Sequence, residues 1–269
     1  MPKATSALEK SLVILERIAA ERRPVTLAFL AEATGMPKQT VHRVLQQLEE
    51  AGTVQRSVRR DSFVLGRRLR DLALSTLQAA AATLPIRAEL ERLAGEVEES
   101  VNLGILNGYF VRYLERVEYA WRLRFTINPN DELPAHAVAI GKLLLAYQPA
   151  RLRQDLLRKA RFERFTDWTL TDPAALEREF ERIVADGYSL NNQEYHIGLL
   201  GAAVPVRNRA GEIIAGLAIQ GVMPRTSLQS LATQLPRMRE AAGRIAELLE
   251  DQAPAGAPAD DSAAAVARP

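Results

Sequence analysis

One stretch, from Thr26 to Gly52, restricts the fold more than any other part of the chain. Thr26 is a favourable N-cap and Gly35 a favourable C-terminal stop, which predicts a short helix between them. Pro37 suits the start of a second helix, so a tight turn through Met36 joins the two. The spacing therefore predicts a helix-turn-helix whose second helix ends just before Gly52.

The second helix of this pair has one apolar and one polar face. Its apolar residues recur at the i, i+3, i+4 and i+7 spacing of a buried helix face, at Val41, Val44, Leu45 and Leu48. An α-helix fits the major groove of B-DNA, where arginine pairs with guanine, glutamine with adenine, and a threonine methyl contacts thymine. A face that only meets solvent would explain any one polar residue here but explains the whole pattern poorly. The candidate contacts to bases are Gln39, Thr40 and Arg43, and those to phosphates are Lys38, Arg56 and the backbone amides of the helix start behind Thr26.

The flanking segments complete an N-terminal winged helix-turn-helix domain, residues 1–66. Ser6 and Glu9 form the S-x-x-E pattern of a capping box at the start of a first helix. Two short strands within residues 53–65 form a hairpin wing with Arg59 and Arg60 at its tip, within reach of the minor groove or backbone of DNA. The predicted core residues of the first helix are Leu8, Leu12, Leu15 and Ile18.

The charge of the chain is concentrated at this end. Residues 1–70 contain thirteen Lys and Arg and seven Asp and Glu, which gives them a net charge of +6. The other 199 residues therefore carry a net charge of −4. A local basic excess is the electrostatic footprint of a nucleic-acid-binding domain. The N-terminal domain is therefore the candidate for binding DNA.

Residues 67–84 predict a linker helix, closed by Pro85. A helix that bridges two domains must bury its apolar stripe against a partner. Two partners are consistent with the sequence: the same helix of a second chain, or a domain of its own chain. The stripe is formed by Leu69, Leu72, Ala73, Thr76, Leu77 and Ala80, spaced three and four residues apart.

The remainder of the chain predicts an α+β domain, residues 85–250. Strands that meet through hairpins, with helices between them and at the ends, indicate an antiparallel sheet. Ala, Pro, Gly and Asp dominate residues 251–269, which predicts a disordered tail. Alternating strands are expected at residues 101–105, 110–117 and 121–127, a later hairpin at 202–206 and 213–220, a turn at Asn107-Gly108, and helices at 86–97, 135–147, 173–185 and 231–249.

The residue inventory argues against most enzyme classes. The chain has no Cys and three His, which excludes disulfides, thiolate metal sites and cysteine nucleophiles, so we expect neither a metal nor a cofactor. An apolar run of 18 residues and a signal-peptide pattern are both absent, so we expect a cytoplasmic protein that does not enter a membrane. The best acid–base grouping joins Glu194, His196 and His136, with Ser189 as a fourth member. No motif brings these side chains together, and we expect no enzyme activity.

Several stretches carry a resemblance to a known family: SALEKSLVILERIA, RPVTLAFLAEATGMPKQTVHRVLQQLEEAG, FVLGRRL, LPAHAVAIGKLLLA, the segment from DPAALEREF to GLAIQG, and the closing helix. On these stretches the chain resembles the IclR family of bacterial transcriptional regulators from Ser6 to Leu249. The resemblance implies a winged helix-turn-helix, a linker helix and an effector-binding domain related to the GAF fold. It also implies dimers, or dimers of dimers, that bind palindromic operators in double-stranded DNA under the control of a small-molecule effector. The alternative hypothesis is an architectural DNA-binding protein without a ligand.

The resemblance further implies an effector pocket. Where relatives that bind small keto acids have an acid, a cysteine and two serines, this chain has Asn191, Gly201, Ala218 and Gln220. The loss of a thiol and a hydroxyl, and the space beside Gly201, predict an aromatic or similarly bulky carboxylate, with Arg122 or Arg124 nearby. An empty, repacked core would explain the same substitutions. The matched pocket positions are Phe125, Leu133, Ala139, Ile140, Asn191, Gly201, Ala218 and Gln220.

Overall fold

The computed structural model describes residues 6–21, 23–57, 61–81, 83–121, 127 and 131–251. The chain forms two compact units that divide between Leu77 and Gln78. Helix α4 (Arg67–Ala81) spans this division in sequence and covers most of the predicted linker. The other elements of the first unit are helices α1 (Ala7–Ala20), α2 (Leu27–Thr34) and α3 (Lys38–Glu50) and strands β1 (Val25–Thr26), β2 (Val54–Arg56) and β3 (Ser62–Leu65).

The first unit is built around an apolar core shared by three helices and a small sheet. Strand β3 lies between β1 and β2 and pairs with both in antiparallel fashion. The predicted helix-turn-helix and wing hairpin are present, and the two-residue strand β1, which the sequence did not indicate, pairs Val25 with Phe63. The core residues are Ile14, Ile18, Val25, Leu30, Ala31, Val41, Val44, Leu45, Leu48, Val54 and Phe63.

Helix α1 begins as predicted but buries only part of the predicted apolar stripe. The Glu9 N–H donates to Ser6 Oγ at 3.1 Å and the Ser6 N–H donates to Glu9 Oε2 at 3.0 Å, which completes the capping box. The predicted core residues Leu8 and Leu12 are 70% and 48% exposed, whereas Ile14 is fully buried. The prediction was therefore wrong for Leu8 and Leu12, whereas Ile18 is 4% exposed and Leu15 packs against the core, as predicted. The buried side is centred on Ile14 and Ile18, which are one turn apart.

The second unit, as far as it is described, contains a six-stranded antiparallel sheet with helices on both faces. The strands are β4 (Ser100–Asn107), β5 (Phe110–Val117), β6 (Leu133–Pro134), β7 (Ser189–Asn192), β8 (Leu199–Arg207) and β9 (Ile213–Val222), in the order β6-β5-β4-β9-β8-β7. The helices are α5 (Leu84–Val97), α6 (Ala139–Ala146), α7 (Ala150–Lys159), α8 (Pro173–Asp186), α9 (Leu228–Thr233) and α10 (Leu235–Asp251). This architecture confirms the predicted α+β fold.

Different helices cover the two faces of the large sheet. Helix α6 packs on β4, β8 and β9 and on α8, in a core cluster that includes Ala203 and Ala218. Helices α5 and α10 pack against each other and on the strands. The sequence pattern assigned the residues between the apolar positions of β4 to a small or polar face, yet Asn102 is 1% exposed. Asn102 is buried because it pairs with Ala218, on the face that α6 covers.

Two special backbone positions differ from the sequence prediction. The β4–β5 hairpin turns through Gly108 and Tyr109, because Asn107 pairs with Phe110. Gly108 has φ +64 and so supplies the left-handed residue of that turn. Contrary to the prediction, Pro85 lies in the first turn of α5 and does not end α4. The backbone N–H groups of a first turn have no partner within the helix, so the N–H that proline lacks is not needed there.

Two predicted helices are each divided. A 3-10 turn at Ala135–Ala137 precedes α6, with extended Val138 between them, and Gln234 separates α9 from α10. Strands β6 and β7 were not predicted because two and four residues give little periodicity. Helix α7 was not predicted either. The predicted strand at 121–127 lies outside the described residues except at its ends, as does the predicted tail except for Asp251.

Candidate DNA-binding surface and effector cavity

A turn of defined geometry joins helices α2 and α3. The Phe29 N–H donates to Thr26 Oγ1 at 3.3 Å, so Thr26 caps α2 as predicted. Gly35 ends α2 at φ +66, a conformation that residues with a Cβ rarely adopt. Pro37 is the N-cap of α3, and its carbonyl oxygen accepts from the Thr40 N–H at 2.9 Å. This turn sets the direction in which α3 presents its polar face.

The polar face of α3 is open to solvent within its unit. Lys38, Gln39 and Arg43 are exposed, and Thr40 is half-buried. The first turn of α3 contains no acidic residue, so the positive end of the helix dipole and the Lys38 ammonium both favour an anion there. The opposite face is buried, as its spacing predicts, through Val41, Val44, Leu45 and Leu48.

Arg56 lies beside α3 at the end of strand β2. Its Nε is 3.2 Å from Glu49 Oε1, and its Cζ is 5.0 Å from the centre of the Phe63 ring. These contacts hold the guanidinium next to α3, and the Glu49 carboxylate neutralises part of its positive charge. The predicted wing-tip residues Arg59 and Arg60 lie outside the described residues.

In the second unit a narrow cavity with a free volume of about 20 Å³ lies between the sheet and the start of α6. Gly201 on β8 pairs with Gln220 on β9 and with Asn191 on β7, which forms one row across the sheet. Ala218 is two residues from Gln220 on the same strand, so its side chain points to the same face. The cavity lining thus includes six of the eight predicted effector positions, namely Ala139, Ile140, Asn191, Gly201, Ala218 and Gln220.

The other predicted effector positions lie elsewhere. Leu133 on β6 is 2% exposed and belongs to the core cluster around α6, outside the cavity lining. Phe125 and the two suggested carboxylate partners, Arg122 and Arg124, lie outside the described residues. Sequence reasoning also missed three polar side chains of the lining, Asn102, Tyr113 and Tyr195. An asparagine within the apolar β4 segment was the available signal for the first.

Side chains of strand β7 hold the start of α6 against the cavity. Ser189 Oγ donates to the Ala139 carbonyl at 2.6 Å, and Asn191 Nδ2 donates to the Ala137 carbonyl at 2.5 Å. The amide nitrogen of Asn191 is thus engaged, and its Oδ1 is the atom of this side chain that can accept a hydrogen bond from a ligand in the cavity. Burial raises the pKa of Tyr113 to about 12, so its hydroxyl stays protonated at neutral pH.

A buried lysine on α6 joins two carboxylates. Lys142 is 1% exposed, and its Nζ donates to Glu194 Oε1 at 2.6 Å and to Glu179 Oε1 at 3.0 Å. Burial raises the pKa of Glu194. Burial acts in the same direction on Glu179, but the hydrogen bond from Arg182 and the charge of Lys142 lower its pKa overall. Sequence reasoning missed this cluster, whose signal is one lysine in the apolar run AIGKLLLA.

The four side chains considered as a catalytic grouping, Glu194, His196, His136 and Ser189, each form a hydrogen bond with a different group outside the grouping. Burial lowers the pKa of His136, although the carbonyl bonded to its ring opposes the shift. In the part of the chain that is described, no group of three or more His, Asp or Glu residues could hold a metal ion. The partners are Lys142 for Glu194, the Ala139 carbonyl for Ser189, the Glu163 carbonyl for His136 and the Ile197 carbonyl for His196.

A wider depression of about 460 Å³ opens elsewhere on the same unit. Its lining is rich in aromatic rings, and Tyr195 borders both this depression and the smaller cavity. Sites for small molecules are mostly apolar with a few convergent polar groups, which is the arrangement in the smaller cavity. The rings of the depression are Tyr109, Phe110, His136, Phe162, Phe165 and Tyr195.

Two sequence-family models match the chain. The IclR helix-turn-helix domain matches residues 7–57, and the bacterial transcriptional regulator IclR C-terminal domain matches residues 73–247. No helix within the described ranges is long and apolar enough to cross a membrane.

Individual relatives match along nearly the whole chain. The HTH-type transcriptional regulator BhcR of Paracoccus denitrificans is 35% identical over 240 residues, which cover 89% of this chain and 85% of BhcR. The p-hydroxybenzoate hydroxylase transcriptional activator of Acinetobacter baylyi is 26% identical over 250 residues, 91% of this chain and 92% of the activator. An IclR homolog from Microbacterium hydrocarbonoxydans, solved as a complex with 4-hydroxybenzoate, has a TM-score of 0.56 and 27% identity, and the match covers 91% of this chain and 100% of that one.

Proposed function

Because this chain belongs to the IclR family of bacterial transcriptional regulators, we propose that it binds a palindromic operator as a homodimer under the control of an aromatic carboxylate. It is a DNA-binding regulator with an effector domain. We assign DNA binding to residues 1–66, the linker to 67–84 and effector binding to 85–250. Such a regulator acts on the chromosome, and we propose the cytoplasm as its location.

The observation that supports effector control is the cavity beside α6. Residues from one helix and five strands border a single space, with an apolar lining and a few polar groups. A Cβ built at Gly201 would lie 3.7 Å from those of Ala139 and Asn191, so the missing side chain leaves room inside the cavity. This combination is typical of small-molecule sites.

We propose an aromatic or similarly bulky carboxylate as the effector. The apolar lining around Ile140 and Ala218 suits a ring better than a small polar keto acid. The free volume is about 20 Å³ in this structure, so binding of a ring requires the lining to open. Two similar proteins are named for hydroxybenzoate, as an activator of p-hydroxybenzoate hydroxylase and as a complex with 4-hydroxybenzoate.

For DNA, we propose that the exposed face of α3 enters the major groove. Its donors lie where a helix can contact base edges, and the capped start of α2 offers backbone N–H groups to a phosphate. The wing would reach the adjacent minor groove or backbone. The assigned base contacts are Gln39, Thr40 and Arg43, the phosphate contacts are Thr26, Lys38 and Arg56, and the wing contacts are Arg59 and Arg60.

We propose helix α4 as the surface that pairs two chains. Leu72 and Leu77 of its apolar stripe are 62% and 40% exposed. Ala73 and Thr76 between them are exposed as well. Contact with the same helix of a second copy would remove this apolar area from water, which stabilises the pair by about 25 cal/mol for each Å² buried.

Operator selection from a random duplex library tests this proposal with the full chain. We expect the recovered sites to contain an inverted repeat. We also expect 4-hydroxybenzoate to change the affinity for the selected site and to raise the melting temperature of the protein. Stabilisation by glyoxylate or pyruvate, with none from hydroxybenzoates, would contradict the proposed effector class.

A further inference from the structure

A largely buried arginine lies behind one end of the effector cavity. Arg116 on β5 pairs with Asn102 on β4, and Asn102 pairs with Ala218 on β9. Residues that pair directly across strands point to the same face of a sheet, so the Arg116 side chain is on the cavity face. It is 11% exposed, and its Nε is 3.3 Å from Glu118 Oε1. Its Nη1 donates to Asn102 Oδ1 at 2.6 Å and to Gln220 Oε1 at 3.0 Å.

These two hydrogen bonds determine the orientation of two amides that line the cavity. A guanidinium has donors and no acceptor, so it must meet the oxygen of each amide and not the nitrogen. Asn102 Nδ2 and Gln220 Nε2 therefore lie on the sides turned away from Arg116. Among the hydrogen bonds of the described residues, neither nitrogen donates to a protein group. This end of the cavity therefore offers N–H donors whose bonds the protein itself does not make.

The other end of the cavity offers an acceptor. Asn191 uses its amide nitrogen on the Ala137 carbonyl, which leaves Oδ1 for a ligand. Asn191 lies in the same row as Gln220, with β8 between their strands. Two strand spacings separate the backbones of Asn191 and Gln220 by about 10 Å, so the acceptor and the donors border opposite ends of the cavity. A ring between them requires the lining to open beyond its free volume of about 20 Å³.

We infer that Arg116 makes this cavity selective for a ring with a carboxylate at the Asn102 and Gln220 end and a hydroxyl at the Asn191 end. A carboxylate only accepts hydrogen bonds, so it matches two amide N–H groups, whereas a carboxamide brings N–H groups of its own. The positive charge behind the two amides strengthens their bonds to an anion. Arg116 acts here as a positioning residue. This inference rests on the proposed function, because it assumes an aromatic carboxylate in this cavity.

Isothermal titration of the full chain with 4-hydroxybenzoate and 4-hydroxybenzamide tests the inference. Hydrogen bonds to a charged group are worth more than those to a neutral one, so we expect the wild type to prefer the carboxylate at least about tenfold. Arg116→Gln, which offers an acceptor as well as donors, should reduce that preference to within about twofold. Arg116→Lys has only donors and should keep most of it. Arg112→Gln is the matched control, because Arg112 is on the same strand but contacts Glu132 outside the cavity lining.

A second variant keeps the test decisive if Arg116→Gln does not fold. Asn102→Asp preserves the size of the side chain and its bond to Arg116 but replaces the amide N–H groups with a negative charge. We expect this variant to reverse the preference in favour of the carboxamide.

The outcomes separate the inference from the proposed function. A wild type that binds neither ligand would overturn the proposed effector class, and the inference with it. A wild type that binds both equally, or an Arg116→Gln variant that keeps the preference or loses affinity for both ligands alike, would overturn the inference alone.

Discussion

Replacing Lys142 with Met tests how far the fold around α6 depends on its buried ion cluster. Met keeps most of the aliphatic part of the side chain, while Glu194 and Glu179 lose the ammonium 2.6 and 3.0 Å from their Oε1 atoms. Glu179 retains Arg182 as a partner. Glu194 Oε2 already has no hydrogen-bond partner among the described residues. The cost of the substitution therefore falls on Glu194, which becomes an uncompensated buried carboxylate.

Removing one partner of a buried ion pair costs about 3 to 5 kcal/mol of unfolding free energy. For a unit of this size, each kcal/mol corresponds to about 2 to 4 °C, so the melting temperature should fall by roughly 6 to 20 °C. Adding Glu194→Gln to Lys142→Met removes the stranded charge and should restore most of the loss. Urea unfolding followed by tryptophan fluorescence measures both effects, because Trp121 and Trp168 lie in this unit.

The variant should also show a distinct pH dependence. Burial raises the pKa of Glu194, so its contribution to stability is complete below the ordinary carboxyl pKa and is lost as the pH rises through the raised value. Without Lys142 that pKa rises further, so Lys142→Met should regain stability between neutral pH and about pH 5 more strongly than the wild type. Glu179, whose pKa is lowered, loses its contribution only as the pH falls below the ordinary carboxyl range.

An exposed ion pair on α7 provides the control. Arg158 pairs with Asp155 at the surface, and Arg158→Met should cost less than about 1 kcal/mol. If Lys142→Met also costs less than about 1 kcal/mol, or if the double variant is no more stable than the single one, then the buried ion cluster does not stabilise the fold around α6.

Further variants at three sites test the other assignments. Arg43→Ala should cost about 1 to 3 kcal/mol on the selected operator and little on random duplex in anisotropy titrations, and equal losses would identify a phosphate contact instead. Gly201→Leu should abolish the response to 4-hydroxybenzoate at unchanged operator affinity. Gly201→Ala should retain part of the response, because a Cβ there meets no atom closer than 3.4 Å. Leu72→Asp with Leu77→Asp should shift sedimentation toward the monomer, and an unchanged coefficient would exclude α4 as the pairing surface.

The features that sequence reasoning predicted well depend on residues close together in the chain. Thr26, Gly35 and the apolar spacing of α3 define the helix-turn-helix through local hydrogen bonds and helical periodicity. Asp172 and Gly187 define both ends of α8 in the same way. Local backbone preferences are sufficient to predict such elements.

The features that sequence reasoning missed depend on strand register and on burial from two sides. Arg116 and Gln220 meet only because β5, β4 and β9 are neighbours, although the two residues are 104 positions apart. Asn102 is buried because helices cover both faces of the sheet, which an alternating strand pattern does not reveal. Lys142 is neutralised by carboxylates from two distant segments. Pairings of this kind require the tertiary fold.

The row of paired strand positions beside α6 has an evolutionary consequence. Gly201 and Gln220 are held in place by main-chain hydrogen bonds of the strand ladder, which do not depend on the identity of their side chains. A single codon change at either position can therefore alter the shape or polarity presented to a metabolite without disturbing the ladder. Such a sheet allows the ligand specificity of the protein to change in small evolutionary steps while the DNA-binding domain stays unchanged.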